Sequence, residues 1–158
     1  MGRFSVISLE QIETTIDDMS PERFPRVIAL LLKFGARDAW ISPIVMKQGR
    51  PGHCLTVLCT SALAPGIQSI IFEETTSIGL RQFTVARYEL VREVVEVLTE
   101  YGRVEVKVSK DLDGRILNTK PELSQCAALA DAKAVPLKHV ISAAEVAFAM
   151  AISEAPQD

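Results

Sequence analysis

The alternation of apolar and polar residues over the first 90 positions predicts four strands and two helices. The predicted strands cover residues 4–16, 38–46, 53–60 and 80–90. Between the first two strands, apolar side chains recur at helical spacing from Phe24 to Phe34, and a second helix opens at Pro65. The order βαββαβ is typical of a ferredoxin-like sandwich, in which two helices cover one face of an antiparallel sheet.

The start of the first helix carries conflicting signals. Ser20 is a suitable N-cap, and Pro21 suits the first helical position. Pro25 lacks an N–H group and removes one early hydrogen bond, so the first turn is expected to be irregular or the helix to begin later. Gly35 is expected to end the helix.

Beyond residue 90 the pattern predicts a smaller unit of three strands and two helices. The strands are predicted at residues 91–99, 104–108 and 115–118, and the helices at 122–134 and 136–152. Residues 153–158 are predicted to be a disordered tail. The fold class is therefore predicted to be α+β, with a ferredoxin-like subdomain at residues 1–90 and a β-hairpin and two-helix subdomain at residues 91–152.

Composition and charge narrow the possible functions. Of the 158 residues, 48% are hydrophobic, which is enough for a packed core without disulfides or metals. The net charge of -3 gives no general attraction to nucleic acids or anionic membranes, so neither is an expected partner. No apolar run approaches the ~20 residues of a membrane span, and the N-terminus lacks a signal-peptide pattern. A cytoplasmic location is predicted.

The cysteines and histidines offer little for a permanent metal site. Three cysteines, an odd number without a secretory signal, indicate reduced thiols. Cys54 and Cys59 fall on one predicted strand at an offset of five, which places their side chains on opposite faces. His53 and His139 are the only histidines and there is no CxxC motif, so no standard transition-metal site is predicted.

Two adjacent carboxylates form the first candidate site. Asp17 and Asp18 follow the first predicted strand and precede a helix. Carboxylates in this position suit a hard cation such as magnesium or manganese, with water completing the coordination. They also suit capping of the helix or stabilisation of its dipole, so spacing alone leaves both interpretations open.

A glycine-rich turn forms the second candidate site. Lys47 and Arg50 lie in the turn Lys47-Gln48-Gly49-Arg50-Pro51-Gly52 between two predicted strands. Two cations and free backbone amides suit the binding of a phosphate group. An ordinary solvated hairpin turn has the same composition, and this alternative also stays open.

The remaining candidates also suit an oxyanion. Thr75 and Thr76 provide hydroxyls shortly before Arg81, an arrangement that fits either a phosphate ligand or a helix end followed by a strand. Lys107 lies on a predicted strand, on the face opposite its apolar neighbours. Lys120 leads into a predicted helix, whose N-terminus suits an anion.

Several of these segments belong to longer motifs, which occur in a fixed order along the chain. They are Glu13-Thr14-Thr15-Ile16-Asp17-Asp18-Met19-Ser20-Pro21-Glu22, Pro43-Ile44-Val45-Met46-Lys47 with Arg50-Pro51-Gly52, Leu55-Thr56-Val57-Leu58-Cys59, and Glu74-Thr75-Thr76-Ser77-Ile78-Gly79-Leu80-Arg81. Together they resemble the C-terminal portion of the nickel insertion proteins of the nickel-pincer cofactor pathway, also called pyridinium bisthiocarboxylate mononucleotide nickel chelatases. The resemblance covers residues 9–149.

The resemblance implies a specific chemistry. The family inserts nickel into a pyridinium dithiocarboxylate mononucleotide, consumes cytidine triphosphate (CTP) and passes through a cytidylylated substrate. The C-terminal portion is then expected to bind CTP with Mn²⁺ or Mg²⁺, to form homo-oligomers and to work with an N-terminal portion. Nickel is expected as a transient substrate, held more by substrate sulfur than by this chain.

Specific residues follow from this hypothesis. Asp17 and Asp18 are predicted metal ligands and, with Lys47, catalytic residues. The predicted nucleotide- and phosphate-binding residues are Lys47, Arg50, Thr75, Thr76, Arg81 and Lys107. Such a reaction consists mostly of positioning and charge stabilisation, so it requires little covalent work from the protein.

Three departures from the family pattern weaken individual assignments. Thr15 stands where the family usually has Asn, Gln48 where a second lysine is common, and Leu123 where an aromatic residue opens the helix. The alternative function is a non-catalytic ferredoxin-like module that binds a small molecule or mediates assembly, because a fold alone does not decide function.

Overall fold

The computed structural model describes residues 2–154 and has the predicted α+β fold class, with antiparallel sheets and four α-helices over that range. It divides into two compact units. The sandwich unit comprises residues 6–87, and the described part of the three-strand unit comprises residues 2–5 and 88–154. In the described part of the chain, no helix is long and apolar enough to cross a membrane.

The elements of the sandwich unit follow the predicted βαββαβ order. They are β1 (Ser5–Ile16), α1 (Phe24–Phe34), β2 (Asp38–Val45), β3 (Pro51–Cys59), α2 (Ala64–Glu74) and β4 (Arg81–Glu89). The strands are ordered β2-β3-β1-β4 in the sheet, and β3 runs antiparallel to both β1 and β2. This order is that of a ferredoxin-like sandwich.

The core of the sandwich unit lies between the sheet and its two helices. Ile12 of β1 and Val57 of β3 are register partners, and both are fully buried. Since side chains alternate between the faces of a strand, every second residue of these strands points toward the helices. Leu31 of α1 and Ile67 of α2 belong to the same buried cluster and form its helical side.

The helix α1 begins later than Ser20. Residues Pro21–Arg23 form a single 3₁₀ turn, the Ser20 side chain makes no capping hydrogen bond, and α1 starts at Phe24. Pro25 therefore lies in the first turn, where no helical hydrogen bond requires its missing N–H group. The expected later start is confirmed, whereas the expected Ser20 cap is wrong. Gly35 ends the helix as expected, with a φ of 117°.

The three-strand unit contains the remaining elements. They are β5 (Val91–Thr99), β6 (Gly102–Lys110), β7 (Ile116–Pro121), α3 (Leu123–Lys133) and α4 (Leu137–Glu154). The strands pair in the order β5-β6-β7, antiparallel throughout. Val104, Val106 and Val108 of β6 point to one face, where they form a core with α3 and α4 around Cys126 and Val140.

Two of the boundaries that differ from the prediction in this unit are the ends of β7 and α4. Lys120 lies within β7, where it is the register partner of Lys107, so it does not lead α3 as expected. The strand extends to Pro121, which is tolerated there because β7 lies at the edge of the sheet. Helix α4 continues to Glu154, so the predicted tail does not begin at residue 153. Residues 155–158 lie outside the described part of the chain.

Candidate functional site

Three loops of the sandwich unit meet at the C-terminal end of β1. They are residues 17–20 after β1, residues 46–50 between β2 and β3, and residues 75–80 between α2 and β4. The β2–β3 turn reaches this end because β3 starts beside the end of β1, with His53 opposite Ile16. The candidate segments predicted separately from the sequence are therefore neighbours at one edge of the sheet.

Buried apolar residues fix the loop that carries the two aspartates. Met19 is buried together with Ile16 and Phe24 in a small satellite cluster. The Phe24 ring also contacts the His53 imidazole, with ring centroids 4.9 Å apart. Met19 is anchored below the surface, and the two preceding residues, Asp17 and Asp18, are exposed.

The two aspartates have different partners. The Asp17 carboxylate lies 3.6 Å from the guanidinium of Arg50, which belongs to the β2–β3 turn. The Asp18 carboxylate accepts a hydrogen bond from the Thr76 hydroxyl, across from the α2–β4 loop. Asp17 is therefore partly neutralised by a cation. The Thr76 hydroxyl is a neutral donor, so this contact brings no positive charge to Asp18.

The β2–β3 turn is tight and has a left-handed backbone at its centre. The Met46 N–H group donates to the Arg50 carbonyl at 2.8 Å, and Gln48 and Gly49 adopt positive φ values of 61° and 71°. Lys47 is exposed at the turn and has no ion-pair partner within residues 2–154. The turn thus presents a free ammonium group near a guanidinium that is already paired.

The α2–β4 loop is organised by hydroxyl groups. Thr75 donates its hydroxyl hydrogen bond to the Ile71 carbonyl at 2.6 Å and accepts one from the Ser77 N–H group. Because its single donor is used to terminate α2, Thr75 has none left for a phosphate oxygen in this conformation. Thr14 and Ser77 both donate to the Gly79 carbonyl at 2.8 Å and contact each other.

A shallow cavity lies beside this loop. Its volume is about 200 Å³, and Thr14, Gly79 and Arg81 contribute to its lining. Glu13 also lines it, with its carboxylate 3.9 Å from the Arg81 guanidinium. Sites that enclose a whole small-molecule ligand are typically larger, at roughly 300–1,000 Å³. This cavity is therefore large enough for a phosphate group but not for a whole nucleotide.

The donor set fits a hard cation only with help from a ligand. Within residues 2–154, no three His, Cys, Asp or Glu side chains gather around a common point. Asp17 and Asp18 provide at most two carboxylates, whereas Mg²⁺ takes about six oxygen ligands and usually keeps several waters. Phosphate oxygens and water would have to complete such a site, which is the usual arrangement for a metal–triphosphate complex.

The cysteines are poorly suited to hold nickel. Cys59 and Cys126 are buried free thiols, and Cys54 is a partly buried one. Burial raises the pKa of the Cys59 thiol, and the neighbouring Glu10 carboxylate raises this pKa further. Burial likewise raises the pKa of Cys126. Since the thiolate is the form that binds metals, these two cysteines are disfavoured as nickel ligands.

Lys107 belongs to the three-strand unit and has a partner there. Its ammonium forms an ion pair with the Glu122 carboxylate at the junction of β7 and α3. The hydrogen bond from Lys107, with one from Ser124, lowers the pKa of Glu122 below its usual range. The charge of Lys107 is therefore partly compensated.

The sequence interpretation missed two features of this region. Thr14 is almost fully buried and links β1 to the α2–β4 loop through Ser77, although both residues belong to predicted motifs. A signal was present, because Thr14 shares the parity of Ile12 and Ile16 on β1 and so had to face the interior. Glu13 was also missed, and its pairing with Arg81 depends on the neighbouring strand.

Comparison with known proteins supplies an independent assignment. A family model described as nickel insertion protein matches residues 4–141. The chain is 40% identical over 132 residues to the pyridinium-3,5-bisthiocarboxylic acid mononucleotide nickel insertion protein of Thermotoga petrophila. That alignment covers 84% of this chain and 33% of the relative. A putative nickel insertion protein of a Synechococcus species is 43% identical over 137 residues, which are 87% of this chain and 34% of that protein.

One solved structure agrees with the assignment, and a second one shares the fold. The apo C-terminal domain of a cyclometallase involved in the synthesis of the NPN cofactor of lactate racemase matches with a TM-score of 0.82 and 36% identity, covering 91% of this chain and 99% of that one. A protein from Methanopyrus kandleri, at 24% identity and a TM-score of 0.70 over 89% of this chain and 88% of that one, shares the fold. The chain spans about a third of the length of the curated relatives it matches. It belongs to the nickel insertion protein family.

Proposed function

We propose that this chain is the portion of a nickel insertion protein that binds CTP with Mn²⁺ or Mg²⁺ while a pyridinium dithiocarboxylate mononucleotide is cytidylylated and receives nickel. Nickel is a substrate of this reaction and is not resident in the chain. The observation that carries the proposal is the meeting of Asp17, Asp18, Arg50 and Thr76 at the end of β1. CTP as the nucleotide follows from the resemblance of the sequence motifs to the family.

The charges at this edge favour a metal-bound triphosphate over a free one. Glu13, Asp17 and Asp18 would repel a polyphosphate that arrived without a cation. Asp18 would hold a divalent ion, whose charge would offset this repulsion, and Arg50 and Arg81 would neutralise the outer phosphate oxygens. Asp17 holds Arg50 in place through their ion pair. A metal–triphosphate complex requires carboxylates for the metal and cations for the phosphates, and both are present at this edge.

Each remaining residue has a defined role in the proposal. In the proposal, the ammonium group of Lys47 lies beside the phosphates, where its charge stabilises the pyrophosphate that leaves. In cytidylyl transfer a substrate oxygen bonds to the α-phosphorus while the bond to pyrophosphate breaks, so negative charge grows on the leaving group. Thr76 donates to Asp18 and orients its carboxylate. Thr75 shapes the loop and does not itself donate to the ligand.

The shallow cavity implies that other surfaces complete the site. The nucleoside has no enclosing wall in the 200 Å³ cavity beside Arg81. We therefore propose that the N-terminal portion of a complete insertion protein, a second copy of this chain, or both cover the base and the ribose.

The free thiols of this chain also suit the reducing cytoplasm that we propose as its location.

The ion pairs at this edge can also be read as features of a non-catalytic module. Arg50 is paired with Asp17, and Arg81 is paired with Glu13. Within each pair the opposite charges offset one another, as they would on a surface that binds nothing. Exposed pairs of this kind contribute only about 0–1 kcal/mol to folding stability. Ion pairs this weak do not account for four charged groups at one edge of the sheet. The arrangement therefore favours a ligand site.

Calorimetry with the whole chain tests the proposal. Titration with CTP is expected to produce a binding signal in the presence of Mn²⁺ and none after chelation, because the cation joins the carboxylates to the phosphates. The other three ribonucleoside triphosphates serve as controls for base selectivity. The absence of any CTP binding by correctly folded protein would rule the function out. Equal binding of all four nucleotides, with or without metal, would favour the non-catalytic module.

A further inference from the structure

The open face of the three-strand sheet carries a second concentration of positive charge. Val106 and Val108 point to the helices, so Lys107 and Ser109 point to the opposite face. The register places Arg92 and Asn118 on either side of Ser109. These residues therefore share one uncovered surface, which α3 and α4 do not occupy.

A second row adjoins the first on this face. Val94 and Lys120 are the register partners of Lys107 on its two sides. Register partners and their diagonal neighbours on one face lie within reach of long side chains. The two rows together line a cavity of about 420 Å³, larger than the one beside Arg81. A cavity of this size accommodates a phosphate group and the ring next to it.

The charge balance of this face leaves two cations without a partner. Lys107 is compensated by Glu122. Arg92 and Lys120 are exposed, and neither has an ion-pair partner within residues 2–154. The two uncompensated positive charges therefore nearly balance the charge of a phosphomonoester, which is about −1.5 to −2 at neutral pH.

The acidic residues nearby do not cancel this charge. Glu93 also lines the cavity, but its carboxylate is paired with Lys110. The next row along the sheet carries Glu96 and Glu105 as register partners, and Glu96 is paired with Arg103. The carboxylates of this row repel an anion. An anion is therefore expected at the opposite end of the face, near Arg92.

We propose that this face binds the phosphate of a mononucleotide whose base is a flat cationic or aromatic ring. Arg92 and Lys120 neutralise the phosphate, and Ser109 and Asn118 donate to its oxygens. Val94, which is 58% exposed, offers an apolar surface to the ring. The choice of a mononucleotide rests on the proposed function, in which such a molecule is the substrate. The site consists of different residues from those assigned to the triphosphate.

Nicotinic acid mononucleotide, a pyridinium mononucleotide with one carboxylate, is a suitable probe. We expect it to bind the whole chain in the absence of CTP and divalent ions, and to bind much more tightly than the corresponding riboside without phosphate. Arg92→Gln and Lys120→Gln are each expected to weaken binding about tenfold, because each removes one charge-assisted contact. Lys138→Gln, which removes an exposed lysine of α4, is the matched control and is expected to bind like the wild type.

Two results would overturn this inference. One is equal affinity for the mononucleotide and the riboside, since the phosphate would then contribute nothing. The other is wild-type affinity in both Arg92→Gln and Lys120→Gln. Asp18→Asn serves to separate the two proposals, because it is expected to impair the binding of metal–CTP and to leave the binding of the mononucleotide unchanged. A failure of CTP binding would thus contradict the proposed function without altering this measurement.

Discussion

Replacing Asp18 by Asn is expected to weaken the binding of Mn²⁺–CTP by about tenfold to a hundredfold, the range given by losing one charged ligand contact of roughly 1.5–3 kcal/mol. Among residues 2–154, the Asp18 carboxylate accepts a hydrogen bond from the Thr76 hydroxyl and has no ion-pair partner, so its charge is available to a cation. Asn keeps the size of the side chain and an acceptor for Thr76, but it loses the charge. Calorimetry of the variant with Mn²⁺ and CTP measures the loss.

Two further variants separate this role from general effects of charge. Asp38→Asn removes an exposed carboxylate at the start of β2, beside Leu58, and is expected to bind like the wild type. Asp17→Asn is expected to have a smaller effect than Asp18→Asn, because Asp17 acts mainly by holding Arg50. If Asp18→Asn bound the metal–nucleotide complex as tightly as the wild type, Asp18 would not be a metal ligand.

Replacing Leu31 by Ala is expected to lower the free energy of unfolding by about 2–5 kcal/mol. Leu31 is fully buried between α1 and the sheet, in the cluster formed by Ile12, Val57 and Ile67. Truncation removes buried apolar surface and leaves a cavity that the rigid neighbours fill only partly. Urea denaturation, followed by circular dichroism, measures the change.

The adjacent residue provides a matched control. Leu32 lies on the same helix and is 46% exposed, so Leu32→Ala is expected to cost less than about 1 kcal/mol. The comparison keeps the residue type, the helix and the substitution constant, and only burial differs. Similar losses for both variants would show that α1 does not pack in the position described.

The element order of the sandwich unit was predictable because periodicity reports burial. The spacing from Phe24 to Phe34 and the alternation of β1 both reflect faces that had to be covered. Boundaries were less predictable where two signals competed. Ser20 looked like a helix start, but the 3₁₀ turn at Pro21–Arg23 displaced it, and Pro25 in the first turn marks the true beginning.

The candidate site was predictable in its segments but not in its pairings. Asp17, Arg50 and Thr76 were each singled out by residue type and by position in a turn. Which cation meets which carboxylate depends on sheet order, which brings the β2–β3 turn and the α2–β4 loop to the end of β1. The use of the Thr75 hydroxyl to end α2 was likewise invisible, because it depends on the local helix geometry.

Paramagnetic broadening of the amide NMR spectrum by Mn²⁺ in the presence of CTP tests the central proposal most directly. Broadening falls steeply with distance from the ion, so it locates the metal without any substitution. The account predicts the strongest loss of signal at residues 16–19, followed by the facing loops at 47–50 and 75–77. Broadening centred on another part of the chain, or no selective broadening in the presence of saturating CTP, would contradict it.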